Sequence, residues 1–97
     1  MEQKLIWSPK AISCLENIHK FISKDSVYYA SHFVDRIVQI IENIPCFPRS
    51  GRMVPEYNDD NIREKIFRKY RIVYRLKESS IEIVAIVHGT RLLENIL

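Results

Sequence analysis

Glycine, cysteine and long apolar runs are scarce in this chain, and each scarcity excludes something. Two glycines in 97 residues leave no glycine-rich phosphate loop, and Ser50-Gly51 lacks the frame of a hydrolase nucleophile elbow. The two cysteines, Cys14 and Cys46, lie far apart without a Cys-x-x-Cys pair, which argues against a disulfide scaffold and a structural zinc site. His19, His32 and His88 fall on three separate segments, so no metal-ligand spacing is present and no metal or cofactor is expected. No apolar stretch approaches the ~20 residues of a membrane span, and Met1–Trp7 has no apolar signal-peptide core. The expectation is a cytoplasmic protein with reduced thiols and no membrane partner. Residues 1–97 are too few for a second domain.

What the chain does have is clustered positive charge. Fifteen Lys and Arg against twelve Asp and Glu give +3 overall, but Arg63–Lys77 alone holds seven basic residues (Arg63, Lys65, Arg68, Lys69, Arg71, Arg75, Lys77) and one acid, Glu64. Such a field suits a polyanionic partner, either nucleic acid or an acidic protein surface. It also suits a solvated strand face with scattered cations, and charge alone does not decide between them.

The apolar pattern organises the chain. Leu5-Ile6-Trp7 reads as an edge strand, and Ser8-Pro9 as a helix start with Ser8 as cap and Pro9 in the first turn. Ala11, Leu15, Ile18 and Ile22 recur at helical spacing. Asp25 or Ser26 caps a second helix, whose stripe runs from Val27 to Ile44 before Pro45 stops it. The result is a helical hairpin over about residues 8–44. Residues 45–61 form a long loop in which Glu56, Asp59 and Asp60 read as solvated turn formers. Three strands follow: Ile62–Phe67; Tyr70–Lys77, with Tyr70, Ile72, Tyr74 and Leu76 facing the helices; and Ile81–His88, apolar enough to be central. The predicted fold is α+β, ordered β-α-α-β-β-β. The N-terminal strand and helical hairpin pack on a small, mostly antiparallel, basic sheet over about residues 62–89, with its other face partly open.

Pairing the last two strands about residues 78–80 would bring Arg71, His88 and Arg91 to one corner of that open face. Two guanidinium groups and an imidazole there suit phosphate binding, with the histidine as acid or base. The structural alternative is that Arg71 and Arg91 pair with Glu64, Glu82 or Glu94 and tie the corner together. Tyr57, in the long loop, could stack on a base or a partner if it is exposed.

The runs PRSGRMVPE, IREKIFRKYRIVYRL and IEIVAIVHGTR, preceded by WSPKA, resemble the RelE/ParE toxin superfamily over nearly the whole chain. The resemblance implies a plasmid-stabilisation-type toxin of a type II toxin–antitoxin system, neutralised by a co-encoded antitoxin, in a possible hetero-oligomer. RelE-like members cut mRNA on the ribosome, as metal-independent endoribonucleases, with basic side chains of the sheet and often a C-terminal tyrosine. Arg71 and Arg91 match the two arginine positions of that set, Lys65 and Arg68 stand near its lysine positions, and His88 is a possible proton donor. The tyrosine is missing, since the sequence ends Glu94-Asn95-Ile96-Leu97. The SGR-x-VPE loop, Arg63-Glu64 and His88-Gly89-Thr90-Arg91 are closer to the ParE-like branch, whose members poison DNA gyrase. The resemblance thus implies gyrase inhibition, with ribosome-dependent mRNA cleavage as the alternative. A non-toxic module binding RNA or an acidic peptide is a third reading, from the basic sheet itself. An antitoxin that is disordered when free, acidic and amphipathic would engage Arg63, Arg71, Arg75, Lys77 and Arg91.

Overall fold

The computed structural model describes residues 3–90. Its elements are β1 (Lys4–Trp7), α1 (Pro9–Ser23), α2 (Val27–Asn43), β2 (Arg52–Met53), β3 (Ile62–Phe67), β4 (Tyr70–Leu76) and β5 (Ser80–His88). A single 3-10 turn, Ile44–Cys46, closes α2 at Pro45.

Both helices begin where side-chain caps are available. The Ser8 hydroxyl accepts from the Ala11 N–H at 3.0 Å and donates to the Val84 carbonyl at 2.8 Å. One side chain thus caps α1 and moors it to β5. At the second helix the cap is Ser26, which accepts from the Tyr29 N–H at 3.1 Å. The inward stripes of Ala11 and Ile18 on α1, and Phe33, Ile37 and Ile41 on α2, meet Ile72, Tyr74, Ile81, Ile83 and Ile86 of the sheet. Complete burial of each isoleucine is worth about 1.5–3 kcal/mol, so this layer supplies most of the cohesion.

The sheet order is β1-β5-β4-β3-β2. β1 is an edge strand and runs parallel to β5, while every other pairing is antiparallel. β5 is accordingly central, as its apolar content implies. Two features depart from expectation. The long loop contains β2, a two-residue strand that pairs Arg52 with Glu64 and Met53 with Arg63. In addition, Val73 pairs with Ala85 but Tyr74 with Ile83, leaving Val84 as the extra residue of a bulge.

The sheet's second face is less open than the sequence suggests. Val54 and Tyr57 of the long loop fold back onto it, and Val54 joins Ile62, Val73, Val84, Ala85 and Val87 in a second apolar cluster. Ile66, further out, stays exposed.

Candidate functional site

Strand register decides where the basic residues go. Tyr70 pairs with His88 and Arg71 with Val87, and paired residues share a face. His88 therefore lies on the helix-facing side, edge-on to the Tyr70 ring at 5.7 Å, with Nδ1 2.9 Å from Thr90 Oγ1. Arg71 points to the opposite face. The expected corner of Arg71 with His88 is not assembled, because adjacent strand positions alternate sides. Arg91 lies outside the described residues.

Arg71 is instead the centre of an ion-pair chain. Its Nε donates to Glu64 Oε1 at 2.6 Å, and its two terminal nitrogens grip both Glu56 oxygens at 2.7 and 2.8 Å. Arg52 Nε reaches the other Glu64 oxygen at 2.5 Å. The Glu64 side chain is 0% exposed and that of Arg71 7%. Two arginines on one buried carboxylate satisfy a charge that would be very costly alone. The hydrogen bonds that Arg71 donates to Glu56 hold its guanidinium above its already high ordinary pKa, against the opposing effect of burial. Glu56 is therefore a clamp that closes the loop over the sheet, not the solvated turn former that loop composition suggests.

The preceding loop is pinned on the other face. The Tyr74 hydroxyl accepts from the Gly51 N–H at 3.0 Å and donates to the Pro48 carbonyl at 2.7 Å. Burial raises its pKa. A Cβ on Gly51 would lie 2.5 Å from that hydroxyl and 2.6 Å from the Glu64 carbonyl, so only glycine permits this approach. Arg63, across from Tyr74, donates to the Gly51 carbonyl at 2.9 Å and to Asp60 at 2.6 Å. Arg49 also pairs with Asp60, and hydrogen bonding to Arg49, ahead of Arg63, lowers the Asp60 pKa against the opposing effect of desolvation. Asp59 accepts from the Asn61 N–H, as a turn former does.

The remaining candidates divide by pairing. Arg75 and Lys77 share Glu82, at 3.8 and 3.5 Å. Lys65 shares a face with Ile72, and Arg68 occupies the β3–β4 turn with its guanidinium 5.7 Å from the Phe67 ring centre. Neither Lys65 nor Arg68 has a carboxylate partner among the described residues. The missed residues, Glu56 and Gly51, had one signal available: they flank Arg52 in the SGR-x-VPE run, the least periodic and most motif-like stretch of the chain.

A helical hairpin on a mixed five-stranded sheet places the chain in the α+β class of ParE-like folds. The solved structure of a chromosomal ParDE TA system from P. aeruginosa superposes with a TM-score of 0.76 at 20% identity, covering 90% of this chain and 96% of that one. The family model of the ParE toxin of type II toxin–antitoxin systems, parDE, matches residues 5–93. The chain belongs to that family. No curated protein matches it significantly. Among the described residues no helix is long and apolar enough to cross a membrane.

Proposed function

We propose that this chain is a growth-inhibiting toxin, held in check by a cognate antitoxin, that acts in the cytoplasm on DNA gyrase and not as an mRNA nuclease. Family membership supports the toxin role. One observation favours gyrase: Arg71, which a nuclease would need at the scissile phosphate, is buried and gripped on both sides by Glu56 and Glu64. Phosphate recognition requires donors free to turn to the phosphate. His88 lies on the opposite face, where it cannot share a substrate with Arg71. The loop motif that resembles the ParE-like branch is absorbed in building this lock: Gly51 under Tyr74, Arg52 on Glu64, Val54 in the outer cluster, Glu56 on Arg71.

The antitoxin proposal rests on the same surface. Exposed Ile66 lies on the open face beside the Arg52–Glu64 pair, and Arg52 is itself 61% exposed, so the edge offers apolar area and an arginine head to an acidic, amphipathic segment. Purified gyrase supplies the test. The chain is expected to inhibit supercoiling and accumulate cleaved DNA, and addition of the antitoxin encoded beside it is expected to restore supercoiling. Intact supercoiling at excess toxin, with ribosome-bound mRNA cut instead, would transfer the chain to the nuclease reading.

A further inference from the structure

The positive charge of Arg63–Lys77 is largely consumed by carboxylates: Arg63 is paired on the helix-facing side, and Arg71, Arg75 and Lys77 are paired on the open face. At the other end of the molecule the balance is reversed. There the α1–α2 turn meets the β3–β4 turn, and a groove of about 380 Å³ is lined by Phe21, Ile22, Tyr29, Phe33, Tyr70, Arg68 and Lys69. Residues 20–33 and 65–70 contribute five cations, Lys20, Lys24, Lys65, Arg68 and Lys69, against one acid, Asp25. None of the five has a carboxylate partner among the described residues. Two are held over rings instead: Lys24 Nζ lies 5.8 Å from the Phe21 centroid, and Arg68 lies 5.7 Å from that of Phe67.

We propose that this tip binds single-stranded nucleic acid, stacking bases on Phe21 and Tyr29 and holding backbone phosphates on Arg68, Lys69 and Lys24. Three observations carry this assignment. The rings are presented to solvent, Phe21 at 67% and Tyr29 at 54% exposure, above a floor formed by Phe33 and Tyr70. Four of the seven lining residues are aromatic and one is aliphatic, which matches a flat π-bearing ligand better than the aliphatic face of a peptide helix. Finally, Arg68 occupies the left-handed region, with φ 54°, where a glycine or asparagine would be less strained. A hydrogen bond from the Gly89 N–H to the Lys69 carbonyl at 2.6 Å holds that turn. Free bases are required for stacking, which selects a single strand over a duplex.

The experiment is fluorescence anisotropy of the purified chain with labelled single strands of about 12 nucleotides, DNA and RNA in separate arms, spanning one site of ordinary size. Binding of at least one strand is expected with Kd about 10⁻⁶–10⁻⁴ M at physiological salt, tightening as salt is lowered. Tyr29→Ala should weaken it about 5-fold or more, and Tyr29→Phe should retain it, because the contact is stacking. The double variant Arg68→Ala/Lys69→Ala should weaken binding and flatten the salt dependence by about 1.4 units of slope, ~0.7 for each lost phosphate contact. Arg36→Ala, off the groove, should change nothing. Melting curves confirm that each variant is folded. The proposal is overturned if neither strand binds at ~100 µM, the weak limit of non-specific binding. It is equally overturned if the Tyr29 and Arg68/Lys69 variants bind like wild type, or if a Glu/Leu-rich peptide occupies the groove while no oligonucleotide does. None of these outcomes depends on gyrase, so the toxin reading stands or falls separately.

Discussion

Removing one member of the Glu56–Arg71–Glu64–Arg52 chain leaves its neighbours short of a partner in a mostly buried site. For Glu64, whose side chain is wholly buried, Glu64→Ala should cost about 3–5 kcal/mol in urea unfolding, the range for breaking a buried pair. A loss under about 1 kcal/mol, the range of an exposed pair, would show that the pair is not formed. Arg71→Lys should also destabilise, because an ammonium cannot reproduce the two-nitrogen grip on Glu56. Loss of toxicity in Arg71 variants is therefore interpretable only beside a melting temperature. The Asp60 carboxylate gives a pH signature. Its pKa is lowered from 3.8 in the folded state, so its stabilising contribution is complete above that unfolded value and is lost as pH falls through the lower folded one. Wild type should thus exceed Asp60→Asn in melting temperature at pH 7, with the gap closing as pH drops below about 4, the ordinary aspartate pKa. A gap that persists at pH 2 would assign the effect to something other than the Asp60 charge.

Both helices, the edge position of β1, the central β5 and the facing of Tyr70, Ile72, Tyr74 and Leu76 were legible, because each rests on periodicity, a cap or an apolar run. The rest was not. β2 is two exposed residues with no alternation to detect, and the Val84 bulge lies inside an apolar run where neither neighbour marks it. The open-face site was legible only as charge: Arg71 and Glu64 were both visible, and their pairing was one of two readings. Glu56 was hidden because its partner lies fifteen residues away, across a loop whose path composition does not encode. Gly51 gives this loop its sharpest test. Gly51→Ala pushes a methyl into the Tyr74 hydroxyl and the Glu64 carbonyl, and should cost about 1–3 kcal/mol, as overpacking does. Adding Tyr74→Phe should recover part of that loss, since one colliding atom is gone. Equal stability of Gly51→Ala and wild type would mean that the loop does not pack against Tyr74.

The whole molecule has two surfaces with different charge states. Its open face is a self-neutralised lattice of arginines and carboxylates, so those arginines belong to the architecture of the toxin more than to any chemistry it performs. The hairpin tip keeps its charge uncommitted. We propose that this ParE-family chain stops growth without using the Arg71 corner to cut RNA. The most direct measurement is the order of events after induced expression in sensitive cells, with labelled precursors reporting DNA and protein synthesis in parallel. DNA synthesis should fail first, with strand breaks, while protein synthesis continues and mRNA remains intact. Protein synthesis failing first, with mRNA cut at ribosomes by wild type but not by a folded Arg71→Lys variant, would make the chain a nuclease instead.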